Sequence, residues 1–245
     1  MSDKKQNYSI AGSGSLPGAD YNGDIRISGS GRINGSAICD SFSIAGSGHV
    51  HGGLTCRESF HAGGSGHVDE DLTAESFSAS GSVTVGGNAG IHGECSCSGS
   101  AKFGSLQCGE LRVGGSLRSE GNISAENARI RGAVTCHGLI NAETLDVEIG
   151  GDCYADCIGG SSITIKRGTS AVGFFSKLFG HAAGYTFNVT NSIEGDEIYL
   201  ENVTAASVTG RIVKIGDNCK IGYVSYTEGI EISENSHVDR YEIIG

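Results

Sequence analysis

Nine cysteines and eight histidines are the residues of this 245-residue chain that could hold a metal ion or act as nucleophile and base. A structural zinc site takes such ligands at paired short spacings, with two to four residues between the members of each pair. Cys95 and Cys97 are separated by a single residue, and Cys153 and Cys157 form one pair without a second. The cysteine pattern therefore does not predict a zinc site.

Other cysteines follow a longer interval. Cys39 and Cys56 are 17 residues apart, as are Cys136 and Cys153. Apolar residues occupy the same phase elsewhere, so these thiols are predicted to be buried and reduced parts of a core.

The histidines and acidic residues follow the same interval. His49 and His67 are 18 residues apart, which predicts equivalent surface positions rather than metal ligands. Residues 69–71 (Asp-Glu-Asp) form the one dense acidic group, and a turn with solvated charges explains it. We therefore predict no catalytic, cofactor-binding or metal-binding residue, no small-molecule substrate and no enzymatic activity.

The positions of all these residues are set by an apolar repeat. Its units are triplets whose members are six residues apart, and successive triplets are 17 or 18 residues apart. The triplets are Ile27, Ile33, Cys39; Ile44, Val50, Cys56; Ala62, Val68, Ala74; Ala79, Val85, Ile91. Three short sides followed by a return to the same phase predict an all-β, single-stranded parallel β-helix of triangular section, with about 17 residues per turn. One turn buries too little to fold alone, so its stability must come from stacking on its neighbours.

Composition agrees with a solenoid whose corners are tight. The chain has 41 glycines and one proline, and clusters such as 45–48 (Ala-Gly-Ser-Gly) fall between the predicted sides. Phe42, Phe60 and Phe77 recur at 18 and 17 residues, which predicts a stack of packed rings.

Net charge and hydropathy argue against nucleic acid as a partner and against a membrane-spanning segment. A net charge of −11 and a pI near 5.1 argue against nucleic acid, which requires a basic surface. The sequence has no apolar run of about 18 residues, and no apolar segment follows the lysines at its start. We expect a cytoplasmic protein.

The repeat divides the chain into four parts. We predict a disordered tail at 1–7, a β-helix at 8–168, a hydrophobic insertion at 169–184 and further β-helical rungs at 185–245. The insertion lacks the six-residue pattern, and its apolar residues with one lysine suit either contact with a membrane surface or folding back over the solenoid. The membrane-contact residues are Phe174, Phe175, Lys177, Leu178 and Phe179.

Neither end of the predicted solenoid has an obvious cap. A terminal rung offers unpaired backbone N–H and C=O groups. When such ends stack on those of further copies and the contacts do not close into a ring, the product is a filament. The candidate joint residues are Tyr8, Ile10, Ile25 and Ile27 at one end and Ile232, Val238, Tyr241, Ile243 and Ile244 at the other.

With these features the chain resembles the bactofilins, the polymer-forming bacterial cytoskeletal proteins, and more narrowly their Gram-positive branch. The most specific part of the match is the block 193–205 (IEGDEIYLENVTA) followed by 213–216 (VKIG), placed after a hydrophobic insertion. The resemblance implies a right-handed helix, nucleotide-independent assembly into non-polar filaments, and scaffolding of envelope, cell-shape or morphogenesis partners at the inner face of the membrane. A paralogous bactofilin is a further candidate partner, but the sequence does not reveal whether the two co-polymerise.

The start of the chain departs from the family pattern. The segment 1–5 (MSDKK) lacks the phenylalanine of the short membrane-targeting motif found in many bactofilins. We hypothesise that Phe174 to Phe179 take over that role.

An enzymatic alternative comes from the six-residue spacing, which also resembles the left-handed β-helix of hexapeptide acyltransferases. Those enzymes use a histidine at a trimer interface as a general base and have a strict 18-residue turn. The 17-residue steps make this the second interpretation.

Overall fold

The structure is a computed structural model that describes residues 5–168 and 185–245. Within these ranges the protein is all-β without a helix, and it forms a parallel β-solenoid of about 13 turns with roughly 17 residues per turn. The predicted fold class is therefore confirmed. Consistently, these ranges contain no helix that could cross a membrane.

The chain divides into two compact units, Met1–Gly121 and Asn122–Gly245. The strands of the first unit are short because glycine corners interrupt each turn. They are β1 (Tyr8–Ile10), β2 (Ser13–Pro17), β3 (Ile25–Ile27), β4 (Ser30–Asn34), β5 (Ala37–Ile44), β6 (Ser47–Val50), β7 (Leu54–Ala62), β8 (Ser65–Val68), β9 (Leu72–Ala79), β10 (Ser82–Val85), β11 (Ala89–Cys97), β12 (Ser100–Phe103), β13 (Leu106–Val113) and β14 (Ser116–Ser119).

The second unit has longer strands, several of which continue around a corner. They are β15 (Ile123–Ile130), β16 (Ala133–Ile149), β17 (Cys153–Arg167), β18 (Phe187–Leu200), β19 (Val203–Ile215), β20 (Lys220–Ile232) and β21 (His237–Ile243).

The pairing register matches the apolar triplets in the first unit. Residues one turn apart face each other on parallel strands, so that like positions form vertical columns inside the solenoid. One such column is Ile10, Ile27, Ile44, Ala62, Ala79, Cys97 and Val113, all buried. A second is Cys39, Cys56, Ala74, Ile91 and Cys108.

The cysteines are free in the described chain, and all except Cys157 are buried. Cys39 and Cys56 are register partners as predicted. Cys136, however, pairs with Ala155 and not with Cys153, because the turn at this position spans 19 residues (155 minus 136) and not 17. Spacing alone therefore gives the wrong partner there.

The predicted ring stack is present. Phe42 and Phe60 are parallel with centroids 6.0 Å apart, and Phe60 and Phe77 are parallel at 5.2 Å. All three side chains are fully buried. The stack fills the interior of consecutive turns, and each ring covers the one below it.

The corners need glycine because successive turns approach closely. A Cβ added to Gly46 would lie 2.0 Å from the carbonyl oxygen of Gly29, and one added to Gly64 would lie 2.0 Å from that of Gly46. No side chain fits that distance, so these positions require glycine for space.

In the second unit asparagine forms part of the corners. Asn202 and Asn218 have φ of 56° and 59°, a conformation that asparagine tolerates better than most residues. The Asn218 side-chain amide donates to Oδ1 of Asn202 at 3.3 Å and links two turns.

Strand pairing continues across the predicted insertion. Ile158 of β17 pairs with Ile193 of β18, a step of 35 residues (193 minus 158), whereas Ile140 pairs with Ile158 at a step of 18. The insertion itself, with Phe174, Phe175, Lys177, Leu178 and Phe179, lies outside the described residues.

Candidate functional site

The last strand, β21, forms an exposed terminal rung. It pairs in parallel with β20, and within residues 5–168 and 185–245 β20 is the strand whose register with β21 is established. Backbone N–H and C=O groups along the other edge of β21 are therefore open to another strand.

The apolar columns of the second unit end at this rung. Tyr241 continues the column of Val208 and Val224, and Val238 continues that of Ala205 and Ile221. Val224 is 0% exposed, whereas Tyr241 is 56% exposed. Within the described residues no further turn covers this inward position, so Tyr241 is exposed to solvent.

Three more of the predicted joint residues lie at the same end. Ile232 is the register partner of Ile215 and is half-buried. Ile243 and Ile244 are 64% and 41% exposed, and the N–H of Ile244 donates to the carbonyl of Tyr226 at 2.8 Å. Large exposed apolar side chains beside an open strand edge make a surface suited to self-association.

The first rung has less apolar exposure. Ile10 is buried, and Tyr8 packs edge-on against the ring of Tyr21 with centroids 4.7 Å apart. Ile25 and Ile27 lie one turn further in and are fully buried, so they support this end and do not form its surface.

Part of the predicted tail lies against the first turns. The Lys5 ammonium is 2.9 Å from a carboxylate oxygen of Asp40 and 3.2 Å from Glu58, and the N–H of Gln6 donates to Asn22. Hydrogen bonding from Lys5, with a further contribution from Arg57, lowers the pKa of Asp40. Polar residues therefore border this end.

A cluster on the side of the first unit combines three histidines with one carboxylate. Nε2 of His49 is 2.5 Å and Nε2 of His67 is 3.1 Å from Oδ1 of Asp69. Nδ1 of His51 is 3.2 Å from Oδ2 of the same residue. Hydrogen bonding from His49, and then from His51, lowers the pKa of Asp69.

The sequence contained one signal for this cluster. His49 and His67 are register partners as their spacing predicts, but Asp69 was interpreted as part of a solvated acidic turn. Asp69 is two residues after His67 but lies one residue beyond the end of β8. Strand alternation alone therefore does not fix the direction of its side chain.

The buried thiols are poorly suited to nucleophilic chemistry. Burial raises the pKa of Cys97 and of Cys136 to about 11, so the reactive thiolate is scarce near neutral pH. These side chains act as small core residues.

Comparison with known proteins gives limited similarity. No family model matches the chain, and no solved structure matches it. An uncharacterised protein of Bacillus subtilis (strain 168), YhbF, is 36% identical over 102 residues, which are 41% of this chain and 40% of that protein. The matched segment thus spans less than half of the relative's length.

Proposed function

We propose that this protein is a structural scaffold that assembles end to end with further copies of itself into filaments, without nucleotide. The observation that carries the proposal is the terminal rung β21, where an open strand edge adjoins the exposed side chains of Tyr241, Ile243 and Ile244. A second copy supplies both missing components, namely a strand for the edge and a turn to cover the columns.

The parallel solenoid is compatible with the bactofilin resemblance, and we propose that the chain acts as proteins of that family do. In this proposal it has no enzymatic activity, its filaments are non-polar, and a paralogue can join them. The acyltransferase alternative is not favoured, because the turns have roughly 17 residues and not a strict 18.

We further propose a cytoplasmic location at the inner face of the membrane, where the filament organises envelope or morphogenesis partners. The 169–184 insertion is the proposed membrane contact. Flotation with anionic liposomes tests this, because a variant without 173–180 should no longer float if the segment binds lipid. Unchanged flotation of that variant would refute membrane contact through this segment and leave self-assembly untouched.

Self-assembly is tested by negative-stain electron microscopy and sedimentation velocity of the purified chain without nucleotide. The variant Tyr241→Asp places a charge on the open core end, and Ile244→Asp does so beside it. Both should abolish filaments and leave a soluble folded chain, because an unpaired charge is costly to bury in a joint.

Tyr185→Asp is the matched control for these variants. Tyr185 is also a tyrosine of the second unit, is 45% exposed, and lies next to a strand that is paired on both sides. It should assemble like the wild type. Monomers in the wild-type sample, or equal loss of filaments in all three variants, would contradict end-to-end stacking through β21.

A further inference from the structure

The histidine cluster on the first unit has the donor atoms of a metal site. One ligand atom each from His49, His67 and Asp69 can be chosen so that all lie within 4.8 Å of one another. His51 approaches the second carboxylate oxygen of Asp69 at 3.2 Å but is not a member of that group of ligand atoms.

The backbone holds these residues in place before any ion binds. His49 and His67 face each other on β6 and β8, and each is followed by a buried valine of the core, Val50 or Val68. The N–H of Asp69 donates to Val50 at 3.0 Å, and the N–H of His51 donates to the carbonyl of Ile33 at 2.9 Å. Ligands on a rigid ladder lose little freedom on binding.

We propose that His49, His67 and Asp69 bind a divalent transition-metal ion of the zinc class. Imidazole nitrogens with one carboxylate are ligands that such ions prefer, whereas Mg²⁺ and Ca²⁺ prefer oxygen. Metal–ligand distances of about 2.0 to 2.2 Å place tetrahedral ligand atoms about 3.3 Å apart. Oδ1 of Asp69 is 2.5 Å from Nε2 of His49 and 3.1 Å from Nε2 of His67, and the three ligand atoms lie within 4.8 Å of one another.

Binding requires only a local exchange of partners. Nε2 of His49 and Nε2 of His67 face Oδ1 of Asp69, and as ligands these nitrogens present a lone pair while the ring proton lies on Nδ1. The ion then replaces the hydrogen bonds that converge on the carboxylate. Small side-chain rotations suffice, because all three residues are partly exposed.

The charges around the cluster are mixed. Glu70 and Asp71 follow Asp69 directly and favour a cation. Arg32 is the register partner of His49 one turn away and opposes it, whereas Thr84 on the other side of His67 is neutral. The Asp69 carboxylate at the centre of the cluster is closer to the ion position than Arg32 is, because it is itself a ligand.

The site would join two consecutive turns of the solenoid. It goes beyond the proposed scaffold role and does not depend on it, because all its ligands belong to one chain. It also goes against the expectation from spacing that the histidines are equivalent surface positions and not metal ligands.

The test is zinc titration of the chain purified without a polyhistidine tag and kept reduced with a phosphine, with a chromophoric chelator as competitor. We expect one Zn²⁺ per chain and a melting temperature that rises with Zn²⁺, since an ion that binds the folded state stabilises it. His67→Gln and Asp69→Asn should each weaken affinity by at least about tenfold, given that even outer-shell partners are worth 10 to 100-fold.

His61→Gln is the matched control, because it removes an exposed histidine of β7, which lies between β6 and β8 along the chain. This variant should change neither the affinity for Zn²⁺ nor the melting temperature. Far-UV circular dichroism establishes that each variant is folded. The Co²⁺ complex should lack a thiolate charge-transfer band. No binding by the wild type, equal affinity in His67→Gln, or a thiolate band would each overturn the assignment.

Discussion

The rungs formed by β20 and β21 have the same position in the repeat but different surroundings. Val224 and Tyr241 are register partners in one apolar column, yet the first is 0% and the second 56% exposed. The difference arises because β20 at Val224 is paired with β19 and with β21, whereas β21 at Tyr241 is paired with β20. In a solenoid, therefore, burial is supplied by the next turn, and a repeat position becomes an interaction surface when that turn is absent.

The largest difference in stability should appear when an aspartate is placed at Val224 in one variant and at Tyr241 in another. Val224→Asp buries a carboxylate without a partner and should cost more than about 4 kcal/mol in free energy of unfolding. Tyr241→Asp leaves its carboxylate in solvent and should cost less than about 1 kcal/mol. Urea unfolding below the concentration of assembly measures both, and equal losses would show that β21 is covered in the free chain.

Two glycines allow the same comparison of a covered and an uncovered turn at the first end of the solenoid, with a smaller expected effect on stability. A Cβ on Gly29 would lie 2.2 Å from the carbonyl oxygen of Gly12, whereas one on Gly12 meets nothing within 4 Å. Gly29→Ala should lose about 1 to 3 kcal/mol of stability by overpacking. Gly12→Ala should change stability by less than about 1 kcal/mol.

Gly12→Ala also tests the proposed joint. A copy stacked on the first rung would meet the added methyl group, so this variant should assemble more weakly than the wild type although it is equally stable. Gly114→Ala serves as the control, because its Cβ also has open space but belongs to an interior turn. Normal assembly of Gly12→Ala would place the joint elsewhere.

The smallest effect on stability is expected from ion pairs on the outer surface of interior turns. Hydrogen bonds from Lys102 and then from Arg118 lower the pKa of Glu120 to about 2, from an ordinary value near 4.5. Because the pKa is lower in the folded state, the stabilisation is present above about pH 4.5 and is lost as pH falls toward 2. This exposed pair should contribute little, as surface ion pairs do.

Carbon-detected NMR titration of the Glu120 carboxyl group measures that pKa. Lys102→Met should raise it toward the ordinary value and make stability less sensitive to pH between about 4.5 and 2. A titration midpoint that does not move in Lys102→Met would mean that the contact across turns is absent in solution.

The interior of the protein was largely predictable from sequence. The columns of Ile10 and Cys39 and the rings of Phe42, Phe60 and Phe77 follow from the period, because stacked parallel turns bring residues one period apart face to face. The partner of Cys136 was not predictable, because its turn spans 19 residues (155 minus 136) and such a lengthening leaves little trace in composition.

Surface relations were harder to predict than core relations. The period placed His49 beside His67, but the approach of His51 and Asp69 depends on the direction of side chains after the strands end. The predicted joint residues also separate in space, since Ile25 and Ile27 are buried whereas Tyr241, Ile243 and Ile244 are exposed. The candidate membrane residues 174–179 are outside the described ranges and remain a prediction.

By itself the sequence determined the parallel β-solenoid and its turn length, because apolar residues every six and 17 positions can be buried together only in stacked turns. Tertiary structure decided which residues are available to partners. The exposure of Tyr241 and the meeting of His49, His67 and Asp69 depend on what lies on the neighbouring turn, and that proximity comes from packing between distant residues of the chain.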